Sequence, residues 1–242
     1  MENKRGIVNV IILSIFLIFL IIPLASATIS INTQLGSVYN LGDIIPISAT
    51  VQTAATTSFN MDLLCESNRT NFYKISVISG DPKTIESILP ISKNIIGELK
   101  GNCKIGLYLG SDSKFTNDFK ISDLIIVQSN ISKTDFNPGE SILIKGNAVK
   151  ENGNPANGYA ELSLLDGNST ILTKQGTVNN GGFSMNITIP EEIKAGNYLL
   201  RITTYEQDLS GGTTNTGFLD KNIYLKQVPT SLEIVLESSE VE

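Results

Sequence analysis

Cys65 and Cys103 are the residues of this chain best suited to covalent chemistry, and their surroundings point to a bridge rather than a nucleophile. The chain has no histidine and only these two cysteines. Ser-His-Asp and Cys-His designs are therefore excluded, as are the commonest zinc and iron sites, which depend on imidazole. A carboxylate pair or a lysine nucleophile has no motif behind it. The sequence is read as that of a protein that is not an enzyme, with no catalytic residue, no metal site and no cofactor. Phe59, Met61, Leu63 and Cys65 share one face of a predicted strand, and Cys103, Ile105, Leu107 and Leu109 share one face of another. Strand parity then points both sulfurs into the same core. A disulfide closing the 38-residue span from 65 to 103 would stabilise by about 4 kcal/mol in the chain-entropy model. Two buried free thiols are the alternative.

Three further sets of residues could bind something. Four sequons stand at Asn68, Asn130, Asn168 and Asn186. Asn68 and Asn168 lie in predicted turns and are the favoured glycan acceptors, although a chain this rich in Asn, Ser and Thr should hold about four sequons by chance. Glu140, Asp166, Asn168, Asp208 and Asp220 could line sandwich ends as calcium ligands. No loop has the dense alternating carboxylates of a dedicated site, however, and turn formation explains these residues more simply. Tyr159, Tyr205, Phe218 and Tyr224 could form an aromatic platform for sugar, with cross-strand packing as the competing explanation. Tyr205 is the one that parity turns outward, beside Arg201 and Thr203. Leu64 and Leu199 also face outward.

The elements that would position these residues begin after a leader. Lys4 and Arg5 precede an apolar run from Ile7 to Leu24, Pro23 ends any helix there, and Ala25-Ser26-Ala27 gives a small-x-small cleavage pattern. Residues 1–27 thus read as a secretory signal helix, with an uncleaved membrane anchor as the alternative. Export favours the disulfide. The formal charge is −6, and loss of the leader would make it −7 by removing Glu2, Lys4 and Arg5. No basic cluster remains to engage a phosphate backbone, so no nucleic-acid partner is expected.

From Thr28 onward the chain reads as short alternating strands split by turn residues, with no sustained helical period. The expected fold is all-β: two tandem Ig-like antiparallel sandwiches at 28–127 and 128–226, then the first strand of a third module or a polar tail at 227–242. Predicted strands of the first module are 28–33, 43–51, 59–65, 72–78, 84–91, 103–109 and a closing strand over 115–127. One phrase organises both modules. Asn40-Leu41-Gly42-Asp43 launches Ile45, Ile47, Ala49 and Val51; Asn137-Pro138-Gly139-Glu140 launches Ile142, Ile144, Gly146 and Ala148 at a constant offset of 97. Gly101-Asn102-Cys103 recurs as Gly196-Asn197-Tyr198. Hairpin signals stand at Asp166-Gly167 and at Asn179-Asn180-Gly181-Gly182.

The phrase at 137–140, with Ile142-x-Ile144-x-Gly146 and Gly196-Asn197-Tyr198-x-Leu200-x-Ile202, resembles prokaryotic immunoglobulin-like surface domains. It is also similar to macroglobulin-type sandwich domains, which share the Pro-Gly-acidic turn and the Gly-x-Tyr strand. The first module departs from the pattern, with Leu41 for the proline and Cys103 for the tyrosine. The resemblance implies spacers, stalks, adhesive units or accessory domains, and specifies a fold better than an activity. The expectation is an exported, modular, non-enzymatic surface protein that meets a protein or glycan at the cell envelope and touches membrane only through an uncleaved leader. Accessory domains of a longer enzyme or of a macroglobulin-like protease-binding protein are one alternative, and a carbohydrate-binding module is another.

Overall fold

The computed structural model describes residues 27–131 and 133–227, so the expected leader and the expected third-module segment lie almost wholly outside them. Seventeen strands and one short helix make up the described chain. The first nine strands are β1 (Thr28–Ile31), β2 (Val38–Asn40), β3 (Ile44–Gln52), β4 (Thr57–Cys65), β5 (Asn68–Val77), β6 (Lys83–Pro90), β7 (Gly101–Leu109), β8 (Asp112–Phe115) and β9 (Phe119–Ser122), with α1 (Lys93–Ile96) between β6 and β7. The remainder are β10 (Ile125–Ser129), β11 (Asp135–Phe136), β12 (Ser141–Lys150), β13 (Gly158–Asp166), β14 (Ser169–Val178), β15 (Gly182–Thr188), β16 (Gly196–Gln207) and β17 (Thr213–Leu225).

The fold is an all-β sandwich architecture. Four sheets run in the orders β1-β3-β6, β2-β9-β7-β4-β5 with β8 on β7, β10-β12-β15, and β11-β17-β16-β13-β14. Among the described residues no sheet mixes strands from before and after residue 123. Compactness divides the chain differently, into one unit of residues 27–35, 45–89 and 104–117 and another of 36–44, 90–103 and 118–227.

Alternation drives both units. In the first, Ile45, Ile47, Ala49 and Val51 on β3 and Phe59, Met61 and Leu63 on β4 are buried, with exposed or half-exposed residues between most of them. In the second, Ile142, Ile144, Met185 and Ile187 from the three-stranded sheet share one core with Leu162, Leu164, Leu200 and Ile202 from the five-stranded sheet. Each such residue contributes about 1.5–3 kcal/mol of burial energy against the ordering entropy of its strand.

Two features depart from the expected strands. The closing strand over 115–127 is broken twice. Thr116 leaves the ladder, its N–H donating to the Ile105 carbonyl (3.0 Å) while its hydroxyl accepts the Ile105 N–H (3.0 Å), which separates β8 from β9. After Ser122 the chain passes to β10, which pairs with β12. The pairing is also not wholly antiparallel. β2 runs parallel to β9, and β11 runs parallel to β17. Short segments just ahead of each repeated phrase thus close a sheet edge in parallel.

Candidate functional site

The repeated phrase forms the same hydrogen-bonded turn twice. Asp43 N–H donates to the Asn40 carbonyl (3.0 Å), and Glu140 N–H to the Asn137 carbonyl (3.1 Å). Gly42 and Gly139 take positive φ of 94° and 74° at the third position, as a type II turn requires, with Pro138 well suited to the second position of its copy. Each glycine N–H then reaches across to an isoleucine carbonyl, Ile91 (2.8 Å) or Ile189 (3.0 Å). The isoleucine N–H returns a bond to Asp43 O (2.8 Å) or Glu140 O (2.9 Å). Each acidic side chain caps the turn from within, accepting from Asn40 N (2.7 Å) or Asn137 N (3.0 Å).

The copies differ in what else they hold. Glu140 is ion-paired with Lys133, whose hydrogen bond is the main cause of a carboxyl pKa below its ordinary value. Asp43 belongs to a polar seam inside the second unit. Its Oδ2 also accepts from Asn152 Nδ2 (2.7 Å), and its Oδ1 lies 3.9 Å from Lys150 Nζ. Lys150 is equally distant, at 3.9 Å, from Glu206 Oε2. Asn215 Nδ2 donates to Glu206 Oε2 (2.7 Å) and to the Leu41 carbonyl (2.8 Å). Asn40 Nδ2 donates to Asn215 Oδ1 (3.3 Å) and to the Leu124 carbonyl (3.2 Å), while Asn40 Oδ1 accepts from Asn152 N (3.0 Å). Asn40 and Asn215 are fully buried, and such groups persist in a core only when satisfied. A cleft of about 450 Å³ beside the seam is lined by Lys93, Asn94, Lys150, Asn157, Glu206 and Asp208, among others.

The outward face of the five-stranded sheet carries the second constellation. The ladder aligns Tyr159 with Tyr205 and Thr216, then Gln175 with Glu161, Thr203 and Phe218, then Ser163 with Arg201 and Asp220. The Tyr159 and Tyr205 rings stack with centroids 5.5 Å apart and 30° between planes. Arg201 lies over the Phe218 ring at 5.0 Å and grips Asp220 with two bonds, Nε to Oδ1 and Nη2 to Oδ2, both 2.7 Å. Those bonds hold the Asp220 carboxyl below its usual range, against the opposing effect of burial. Gln175 Nε2 donates to Glu161 Oε2 (3.1 Å). Phe218 and Tyr159 remain 64% and 42% exposed.

The structure thus brings together three of the four candidate aromatics. Tyr224 lies farther along β17, opposite Asn197, and is separately exposed. The candidate calcium ligands are dispersed. Asp220 is committed to Arg201 and Glu140 to Lys133, and Asp208 caps its own loop by accepting from Ser210 N and Gly212 N, both at 2.9 Å. Among the described residues no three metal-binding side chains cluster. Asn68 opens β5 and is exposed, and Asn168 is exposed in the β13–β14 turn. Arg69, inside the first sequon, is tied to buried Asp62 and covers the Tyr108 ring at 4.6 Å. Cys65 and Cys103 are both disulfide-bonded. Tyr198, the counterpart of Cys103, instead sends its phenol O–H to the Lys194 carbonyl (2.9 Å).

Seam residues Asn152, Glu206 and Asn215 escaped sequence reasoning. The available signal was Asn215 itself, an amide at an inward strand position, where β-propensity is poor and only a built partner set tolerates it.

No protein-family model and no curated protein matches this chain. Among solved structures it is similar to a β-glucosidase from Listeria innocua. In complex with isofagomine that enzyme is 11% identical over 40% of this chain and 16% of the enzyme's, with a TM-score of 0.33. In complex with gluconolactone it is 12% identical over 41% of this chain and 16% of the enzyme's, with a TM-score of 0.31. The chain spans under a fifth of the enzyme's length, and a likeness this slight carries no argument about activity.

Proposed function

We propose that the chain is a non-enzymatic, exported, modular surface protein whose immunoglobulin-like sandwiches serve as structural and adhesive units on a cell envelope. The observation that carries the reading is the repeated turn. Two copies of one phrase close with the same set of hydrogen bonds to an isoleucine 49–50 residues downstream, as expected of a tandem unit rather than of a single catalytic domain. The disulfide supports an oxidising compartment. No helix among the described residues is long and apolar enough to cross a membrane. Fractionation of cells expressing the full chain, with mass spectrometry of its N-terminus, tests the proposal. The expected result is envelope or medium protein beginning at Thr28 with both cysteines oxidised. Recovery in the cytoplasm with reduced thiols would overturn it.

A further inference from the structure

We propose that the outward face of the five-stranded sheet around Thr203 binds a neutral polysaccharide. The inference deepens the adhesive reading above and rests on it only in treating the sandwich as a surface unit that holds a ligand.

Thr203 is a small residue with large neighbours. Glu161 faces it from β13 and Phe218 from β17, while Tyr205 and Arg201 lie two positions away on its own strand. The result is a low floor rimmed by aromatic rings and fixed polar groups. The opposite side of this sheet is the sandwich core, with Leu162, Leu200 and Ile202 fully buried, so the exposed rings are not needed to fill it. Phe218 nevertheless stays 64% exposed, braced by the Arg201 guanidinium. Ring faces held in this way offer apolar contact to the C–H side of a sugar at little cost in side-chain entropy.

The polar groups of the strip select the class of ligand. Arg201 spends two N–H donors on Asp220 and keeps three of its five. Glu161 is positioned by Gln175 through one oxygen, which leaves the other as an acceptor. The Arg201–Asp220 pair cancels its own charge, so Glu161 gives the strip a net charge of −1. A polyanion finds no free positive field here, and a purely apolar segment would strand a carboxylate and a guanidinium. A neutral polyhydroxylated chain satisfies both, with C–H faces on the rings and hydroxyls on the fixed donors and acceptors. From Tyr159 to Phe218 is two strands across and one side-chain step along, roughly 12 Å. That is longer than one sugar, so the ligand is a chain.

Affinity electrophoresis of the full chain through gels containing starch, mannan, hydroxyethylcellulose or glycol chitin, with alginate as the anionic comparator, tests this. The expected result is retardation by at least one neutral polymer. Phe218→Ala and Tyr159→Ala should each weaken it about tenfold or more, equivalent to losing about 1.4 kcal/mol, while Tyr224→Ala leaves it unchanged. Thr203→Arg, which fills the floor, should abolish it with an unaltered circular dichroism spectrum. No retardation by any neutral polymer, retardation by alginate alone, or retardation indifferent to Phe218→Ala would each overturn the inference. Adhesion to cells that persists without polysaccharide binding would overturn it in favour of a protein partner and leave the adhesive reading standing.

Discussion

Replacing Asn215 tests whether the polar seam is a structural necessity of the second unit. The amide is fully buried on β17 and makes three hydrogen bonds, to Leu41 O, Glu206 Oε2 and Asn40 Nδ2. In Asn215→Ala all three vanish, but two partners keep other bonds. Asn40 Nδ2 retains the Leu124 carbonyl, and Glu206 retains Asn157 N (2.8 Å) and the nearby Lys150. A buried group left unmet costs about 1–3 kcal/mol, and the cavity adds to it, so the expected loss is about 2–4 kcal/mol. For a chain of this size that lowers the melting temperature by roughly 10 °C. Asn215→Asp keeps the shape but sets a second carboxylate against Glu206 and the Leu41 carbonyl. Its folded pKa must rise above the unfolded value of about 3.9. A raised acid pKa carries no penalty below the unfolded value, and the penalty grows as pH rises through the folded one. The Asp variant should therefore approach wild type near pH 4 and fall furthest behind at neutral pH. Urea denaturation followed by circular dichroism at several pH values measures both effects. An Asn215→Ala cost below about 0.5 kcal/mol, the usual level for surface changes, would refute the seam's role, as would a pH-independent cost for the Asp variant.

Three other outcomes are expected. Reduction of the Cys65–Cys103 bridge should cost about 4 kcal/mol, read as a shift in the urea midpoint with and without reductant; an unchanged midpoint would remove its structural role. Gly217→Ala should destabilise by about 1–3 kcal/mol or more, because an added Cβ would lie 1.8 Å from the Ile125 carbonyl oxygen and 2.7 Å from its carbon, both backbone atoms; thermal melts give the value. The Glu151 carboxyl is held below its ordinary 4.5, chiefly by the Lys120 hydrogen bond (2.7 Å) and then by Ser122. A depressed folded pKa gives stability that is present above the unfolded value and lost as pH falls through the folded one, so the gap between wild type and Glu151→Gln should close as acid titrates below pH 4.5.

Period-two alternation made the cores legible. Ile45, Ile47, Ala49 and Val51, and later Phe183, Met185, Ile187 and Ile189, are buried as their parity requires, since one-register slips would turn whole rows into water. The Asn180-Gly181 turn was equally readable, because its positive φ values of 48° and 79° demand those residue types. What pattern could not show was pairing direction. Val38–Asn40 and Asp135–Phe136 are too short to carry a periodic signal, and their parallel partners β9 and β17 lie about 80 residues or more downstream. The break at Thr116 was hidden for a related reason, since a threonine hydroxyl that replaces a ladder bond looks like any strand threonine until its partner is known. On the outer face, parity exposed Tyr205, Arg201 and Thr203, but only the register set Tyr159 and Phe218 beside them.

The repeated phrase shows how one turn can take on two tasks. Its internal bonds are the same in both copies, so backbone geometry does not distinguish them. The difference lies in the acidic residue and its surroundings. Glu140, one methylene longer, reaches its own turn and the local partner Lys133. Asp43 is shorter, and its second acceptor site is met by Asn152, with Lys150 beyond it. Lys150 is only 14% exposed and faces two carboxylates at 3.9 Å, a spacing at which a partly buried cation is offset by charge rather than fixed by one hydrogen bond. Swapping the acidic residues separates these roles. Asp43→Glu should keep the turn, because the longer chain caps Asn137 N in the second copy. It should nonetheless crowd Asn152 and disturb the seam, whereas Glu140→Asp should weaken only the exposed Lys133 pair, a much smaller change because solvent screens it. Equal costs for the two swaps would mean that the phrase is a turn and nothing more.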